Sequence, residues 1–137
     1  PLRMREHSRN ALAVANFLAG HKSVARVIHP AHHSGTAAER TAKYLRHGTG
    51  GLCGFELKGG TDAGRAFINA LKMFYHVANI GDARSLAIHP ASTTHSQLTE
   101  AEQLATGVSP GYVRLSIGIE HIDDILADLS QALDAAG

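Results

Sequence analysis

The strongest structural constraint in this sequence is the strict alternation of side chains between residues 112 and 119. One set is apolar and the other is polar or small: Val113, Leu115, Ile117 and Ile119 against Tyr112, Arg114, Ser116 and Gly118. Because successive side chains of a β-strand point to opposite faces, this pattern predicts a strand with one face in the core. The other face, which carries Arg114, is free to line a pocket or to meet another domain.

Helical patterns alternate with short strand-like segments along the whole chain. The predicted strands are residues 24–28, 52–57, 85–89 and 112–119, and the predicted helices begin near Leu2, Thr36, Thr61, Thr99 and Ile122. Thr36 with Glu39, and Thr99 with Glu102, have the spacing of a capping box at a helix start. The alternation predicts an α/β fold, a two-layer sandwich in which helices pack on a small four-stranded sheet, mixed or antiparallel.

Apolar residues at helical spacing predict which face of each helix is buried. The predicted inward residues are Met4, Ala11, Val14, Ala15 and Leu18 in the first helix, Ala38, Ala42 and Leu45 in the second, Phe67, Leu71, Phe74 and Ala78 in the third, and Ile122, Ile125, Leu126, Leu129 and Leu133 in the last. The first helix is predicted to end at Gly20, and the third to extend to about His76.

The composition limits the class of protein. A chain of 137 residues, 44% of them hydrophobic, has the size and apolar content of one globular domain. The 13 basic and 12 acidic residues nearly cancel, which argues against a nucleic-acid or membrane-surface partner. The single cysteine, Cys53, cannot form an internal disulfide, so we expect a cytoplasmic protein. The chain opens on Pro1, directly in a helical pattern and without an initiator methionine, so we expect it to belong to a longer polypeptide.

Two polar residues stand out as candidate ligand-binding groups. Arg114 lies on the polar side of an otherwise apolar strand, where its guanidinium can offer a planar fork to a carboxylate. The alternative is an arginine that forms an ordinary surface salt bridge. Ser85 opens the third predicted strand and could place a hydroxyl or a backbone group beside a ligand, or it could simply cap a turn.

Ten histidines are many for this length, but their spacing does not favour a metal site. His29, His32 and His33 surround a proline and have no cysteine or carboxylate nearby, whereas zinc needs three or four convergent ligands. We therefore predict an exposed polar loop and no metal. His89 and His95 bracket a loop with three hydroxyl residues, and one of the two histidines is predicted to order it.

Two long motifs resemble a known family. The first is Arg84–Leu98 (RSLAIHPASTTHSQL), preceded by His76–Ala83 (HVANIGDA), and the second is Val113–Glu120 (VRLSIGIE). In this order they resemble the C-terminal signature of the Cys/Met-metabolism enzymes, which are pyridoxal-phosphate enzymes of fold type I. The similarity extends over about residues 1–136. It implies the fold of the C-terminal domain of these enzymes, with residues 1–137 as a single domain.

The resemblance implies roles for four residues. Arg114 matches the arginine that binds the substrate α-carboxylate, and Ser85 matches a serine beside that carboxylate and the cofactor-linked amine. Arg84 stands where several γ-lyases and γ-synthases have a glutamate, and Arg84 and Thr94 are the positions at which we expect specificity to be set. An arginine at position 84 disfavours a γ-lyase or a cystathionine enzyme and favours a sulfhydrylase that uses an inorganic or small thiol nucleophile. The resemblance as a whole implies replacement of the acetoxy group of O-acetyl-L-homoserine by sulfide or methanethiol, in methionine biosynthesis.

In this family a lysine in a Ser-x-Thr-Lys-like context binds the pyridoxal phosphate covalently. The four lysines here, Lys22, Lys43, Lys58 and Lys72, lack that context. We therefore expect no catalytic and no cofactor-binding residue within 1–137, and an inactive isolated domain whose parent carries the cofactor. The resemblance also implies an amino-acid ester and a small thiol or sulfide as ligands of the parent, and a homo-oligomeric parent, a dimer of dimers.

Two alternatives remain open from the sequence. One is another member of the same family, such as an O-succinylhomoserine sulfhydrylase, a methionine γ-lyase or a cystathionine enzyme. The other is a stand-alone ligand- or metal-binding module that uses the histidine-rich loops.

Overall fold

A computed structural model describes residues 1–137 and shows five helices and five strands. The helices are α1 (Leu2–Ala19), α2 (Gly35–Tyr44), α3 (Gly60–Ala70), α4 (Glu100–Ala105) and α5 (Ile122–Ala136); the strands are β1 (Val24–Ile28), β2 (Leu52–Leu57), β3 (Tyr75–His76), β4 (Leu86–Ile88) and β5 (Tyr112–Ser116). The strand order is β1-β2-β5-β4-β3, with every pair antiparallel except β3 and β4. The predicted α/β class is confirmed, and a fifth strand of two residues extends the four predicted ones. None of the helices combines the length and the hydropathy that a membrane span requires.

Three helices, α1, α3 and α5, cover one face of this sheet and form the core with it. Val113, Leu115 and Ile117 are fully buried on that face, as the alternation predicts. The rings of Phe55 and Phe67 meet edge to face with centroids 5.3 Å apart. Burial of each such side chain contributes about 1.5–3 kcal/mol. Three of the predicted core positions outside the second helix are wrong: Met4 is 54% and Ile119 is 39% exposed, and Ala78, which lies beyond the end of α3, is exposed as well.

Helix α2 lies apart from this core. None of its residues is buried, so the predicted inward positions Ala38, Ala42 and Leu45 are wrong. The physical reason is that α2 packs mainly against the short 3₁₀ turn Pro30–His32 and not on the sheet. The capping box of Thr36 and Glu39 is also absent, since Ser34 occupies the N-cap position and makes no side-chain capping bond.

The capping box predicted for α4 is confirmed. The side chain of Glu102 accepts the Thr99 backbone N–H at 2.8 Å, and the Thr99 hydroxyl accepts the Glu102 N–H at 3.4 Å. In α3, by contrast, Thr61 lies inside the helix, and the N-cap is Gly59.

Helix α3 ends at Ala70 and does not reach His76, because a carboxylate takes the backbone donors that would continue it. Asp128 of α5 accepts the N–H groups of Lys72, Met73 and Phe74 at 2.9–3.3 Å. A carboxylate that accepts several backbone N–H groups makes strong, charge-assisted bonds. The chain therefore leaves the helix here and forms β3, and nothing in the local pattern indicated that a distant aspartate would intervene.

Candidate carboxylate-binding site

The face of the sheet opposite the helices carries a cavity of about 450 Å³. Its apolar lining includes Ile28, Ile88 and Val108, and its polar lining includes Thr94, His95, Tyr112 and Arg114. Ile88 and Gly54 lie directly opposite Arg114 on its two neighbouring strands, and Ile28 lies opposite Gly54. The strand pairing therefore places Arg114 on a row of apolar or small residues, with no charged neighbour on that row.

Most of the hydrogen-bond donors of Arg114, which lines this cavity, have no acceptor in the protein. Its Nη2 donates one hydrogen bond, to the carbonyl oxygen of Asn79 at 3.3 Å, and none of the three ion pairs of the protein involves it. The alternative of a salt-bridging arginine is therefore not what the fold shows. A guanidinium has five N–H donors in a planar fork, and four of these have no protein acceptor here. This arrangement can bind a carboxylate through two parallel hydrogen bonds.

The segment Val77–Gly81 crosses this face of the sheet next to Arg114, which the sequence did not indicate. Besides the bond from Arg114 to the Asn79 carbonyl, the Gly81 N–H donates to the hydroxyl of Ser116 at 3.0 Å. Arg3 fixes the same turn from α1 by donating to the Gly81 carbonyl at 2.8 Å. The local sequence signal for this turn is Gly81, since its φ of +76° is a backbone conformation that favours glycine.

The loop after β4 forms another wall of the cavity and is ordered by His89. This ring is fully buried; its Nε2 donates to the Pro110 carbonyl at 2.7 Å, and its Nδ1 accepts from the Ser92 hydroxyl at 2.8 Å. A carbonyl can only accept, so Nε2 carries the proton. Burial lowers the pKa of His89, which favours this neutral form. The loop therefore holds Thr94 at the cavity, with its hydroxyl 2.9 Å from Nδ1 of His95.

Tyr112 belongs to the same site, although the sequence did not single it out. It is two residues before Arg114 on β5, so both side chains lie on the same face. Its ring lies across Gly54: a Cβ at position 54 would be 2.8 Å from Cε2 and 2.9 Å from the hydroxyl oxygen. Burial raises the pKa of Tyr112, so the phenol keeps its proton.

Ser85 does not line this cavity. It is fully buried, its hydroxyl donates to Oε2 of Glu120 at 2.9 Å, and it accepts the Gly118 N–H at 2.9 Å. The Ser85 N–H also donates to the Glu120 carboxylate, at 2.6 Å. These bonds tie β4 to the segment that follows β5, and they occupy the hydroxyl within the protein.

Arg84 lies outside the cavity as well. Its side chain is exposed and stacks on Tyr75, with the guanidinium carbon 5.1 Å from the ring centroid. The fold thus brings together two of the four residues named from the sequence, Arg114 and Thr94, and it leaves Ser85 and Arg84 elsewhere.

The histidines near the first 3₁₀ turn make hydrogen bonds within the protein. His29 accepts the Ala31 N–H and contacts the Thr49 hydroxyl, and His32 contacts the side chain of Asn16 at 3.0 Å. No group of three or more His, Cys, Asp or Glu side chains converges as a metal site would require. Cys53 is buried, and burial raises its pKa to about 12, so the thiol stays protonated.

This cavity has no lysine to which a cofactor could be attached covalently. None of the four lysines lines it. Lys58 donates to the Lys22 carbonyl at 2.6 Å, and Lys43 lies over the Tyr44 ring. This cavity therefore contains an arginine without an acidic partner and no lysine.

These features define a class: an α/β domain with one sheet face covered by helices and the other open around an arginine that has no acidic partner. The family of the Cys/Met metabolism PLP-dependent enzymes matches residues 1–134, and the chain belongs to this family. Its relatives include an O-acetyl-L-homoserine sulfhydrylase of Leptospira meyeri, 53% identical over 97% of this chain and 30% of that protein. An L-methionine gamma-lyase of Pseudomonas putida is 47% identical over 98% of this chain and 34% of that protein.

A solved structure is also similar. The chain superposes on the C-terminal region of a Campylobacter jejuni protein described as an O-acetylhomoserine (thiol)-lyase, with a TM-score of 0.88 and 42% identity. The match covers 97% of this chain and 32% of that one, and the pyridoxyl-lysine of that structure lies outside the aligned region. The chain thus spans about a third of the length of the relatives it matches.

Proposed function

We propose that residues 1–137 form the C-terminal, substrate-carboxylate-binding domain of a pyridoxal-phosphate enzyme that replaces the acetoxy group of O-acetyl-L-homoserine with sulfide or methanethiol. In this proposal Arg114 binds the α-carboxylate, and Thr94 lines the same cavity. The chain's own contribution is to bind and orient the substrate, and correct orientation removes a large part of a reaction barrier. The cofactor is held by a part of the protein outside residues 1–137.

The observation that carries this proposal is the free guanidinium of Arg114. It lies beside an apolar row of the sheet with four N–H donors unused, and it has no acidic partner. An uncompensated charge in a partly buried position is costly, so it is retained where a ligand supplies the opposite charge. The choice of substrate rests on similarity to the sulfhydrylases, one of which is 53% identical to this chain over the aligned residues.

The test is steady-state kinetics of the full-length protein with O-acetyl-L-homoserine and sulfide. Arg114→Lys keeps the charge and loses the fork, so we expect kcat/KM for the ester to fall about tenfold to a hundredfold, as for the loss of a hydrogen bond to a charged group. Arg9→Lys is the matched control, because Arg9 is exposed on α1 and pairs with Glu6. An unchanged KM in the Arg114 variant, with the control also normal, would contradict the proposal.

A methionine γ-lyase is the second candidate, since one such relative is 47% identical to this chain. Rates of the full-length protein with O-acetyl-L-homoserine, O-succinyl-L-homoserine and L-methionine separate these activities. Turnover of L-methionine alone would assign the chain to a lyase. The proposed role of Arg114 is common to both, because all three molecules carry the same α-carboxylate.

A further inference from the structure

We propose that Tyr112 is a second ligand-binding residue of this site and donates its phenolic hydrogen to the carboxylate that Arg114 binds. This inference rests on the proposed function, because it takes the occupant of the cavity to be a carboxylate. It adds a donor that neither the motifs nor the strand pattern had identified as functional.

The first argument is the position of the ring. Gly54 lies directly opposite Arg114 in the β2–β5 ladder, where the side chains of paired residues are about 5 Å apart. The ring of Tyr112 occupies the space that a side chain at position 54 would fill, and its hydroxyl oxygen is 2.9 Å from the Cβ position of Gly54. The phenol is therefore turned diagonally across the ladder toward Arg114.

The second argument is that the Tyr112 hydroxyl has no partner. It makes no hydrogen bond to the protein, although the ring is partly buried and lines the cavity together with Arg114. A tyrosine hydroxyl normally finds a hydrogen-bond partner when it is buried, so a ligand that covers this hydroxyl would have to supply one. Glu56, which lies directly opposite Tyr112 in the β2–β5 ladder, is already engaged by Arg26 and by the Ser109 hydroxyl. An acceptor from a ligand would complete the site.

The third argument is the protonation state. Burial raises the pKa of Tyr112, and the charge of Arg114 opposes this with a smaller effect. The phenol therefore stays protonated near neutral pH and acts as a donor. A neutral donor beside a cationic fork can share one carboxylate, whereas a phenolate would compete with that carboxylate for Arg114.

The test compares Tyr112→Phe with Tyr75→Phe in the full-length protein. Tyr75 is the matched control, because it is exposed on the edge strand β3 and does not line the cavity. We expect Tyr112→Phe to raise the KM for O-acetyl-L-homoserine by about tenfold or more with little change in kcat, as for one lost hydrogen bond to a charged group. Thermal unfolding of both variants should match the unsubstituted protein, which separates binding from folding.

A spectroscopic measurement on the 137-residue chain tests whether a carboxylate bound at Arg114 lies next to the phenol of Tyr112. Acetate bound at Arg114 places a negative charge next to the phenol and disfavours phenolate, so added acetate should shift one tyrosine titration, followed by ultraviolet absorbance, to higher pH. This shift should be absent in Tyr112→Phe and present in Tyr75→Phe. A shift that survives in Tyr112→Phe would overturn the inference.

The two proposals fail in different ways. If Arg114→Lys raises the KM and Tyr112→Phe does not, the inference about Tyr112 is wrong while the carboxylate-binding function stands. If neither substitution changes the KM, the proposed function itself is wrong, and the inference falls with it.

Discussion

The Ser85 hydroxyl is hydrogen-bonded to Glu120 and does not line the cavity. It donates to Oε2 of Glu120 at 2.9 Å and accepts the Gly118 N–H at 2.9 Å. A serine within a signature motif thus serves to join two strand ends. Gly118 has no space for a side chain at this junction, since a Cβ would lie 2.4 Å from the Ala83 carbonyl oxygen. Ser85 therefore joins two segments inside the protein, whereas Arg114 lines the cavity.

Substitution of Ser85 by alanine should therefore reduce stability and leave substrate binding unchanged. It leaves the buried Gly118 N–H without its acceptor and removes one of the two hydrogen bonds to the Glu120 carboxylate, which costs about 1–3 kcal/mol in the free energy of unfolding. Urea denaturation measures this loss. Ser96→Ala is the control, because that exposed hydroxyl bonds only to a neighbouring carbonyl in its own turn. A large rise in KM with normal stability would restore Ser85 to the binding site.

Replacement of Arg84 by alanine should change the KM for O-acetyl-L-homoserine by less than about twofold, because an exposed cation–π contact contributes only a fraction of a kcal/mol and lies outside the cavity. The same substitution tests whether Arg84 sets the choice of reaction, as the family resemblance implies. If the ratio of rates for the acetyl and succinyl esters changes strongly in Arg84→Ala, Arg84 acts on specificity despite its position.

Two threonines with the same sequence signature should respond differently to alanine. Thr99→Ala removes a formed capping box and should cost about 1 kcal/mol in unfolding free energy. Thr36→Ala should cost nothing measurable, since Thr36 is an exposed residue inside α2. Chemical denaturation of both variants under the same conditions makes the comparison, and equal losses would show that the structure misplaces the start of α2.

The close approach of α3 to the His89 loop should make Gly64 intolerant of a side chain. A Cβ at Gly64 would lie 2.4 Å from Nε2 of His89, so Gly64→Ala should displace the ring and destabilise the protein by about 1–3 kcal/mol. Gly20→Ala serves as the comparison, because a Cβ there meets only an ordinary contact at 3.7 Å. Thermal unfolding of the two variants measures the difference in stability. A Gly64→Ala variant as stable as the unsubstituted protein would contradict the close contact between Gly64 and His89.

Stability should fall as the pH drops below about 6.5, the usual pKa of histidine. Burial lowers the pKa values of His29 and His89, so between the lowered folded values and 6.5 the unfolded chain binds more protons than the folded one. By linkage, the free energy of unfolding then decreases as pH decreases through this window and levels off below the folded values.

Urea midpoints between pH 7.5 and 5 measure this dependence. His29→Gln and His89→Gln should each flatten the curve, because glutamine keeps a hydrogen-bonding side chain and does not titrate. Replacement of the exposed His47 by glutamine provides the control, because His47 contributes to neither of these pKa shifts. A pH dependence that persists in the double variant would assign the effect to other groups.

The sequence by itself determined the elements whose signals are local. The period of the apolar residues gave α1, β1 and β2 their observed bounds, and the capping box of α4 formed because both partners lie within one turn. The alternation in β5 placed Arg114 on the face opposite the core, and the motifs around it identified the family. In each case the residues that decide the structure are near neighbours in the chain.

Only the tertiary structure decided which candidates share a site. The end of α3 depends on Asp128 and the position of Ser85 on Glu120, and both partners are distant in sequence. Tyr112 became part of the cavity because Gly54, on the neighbouring strand, leaves room for its ring. Periodicity assigns a side chain to a face, but strand register and contacts between distant segments determine its neighbours. For that reason Arg114 could be predicted from its strand, whereas its surroundings could not.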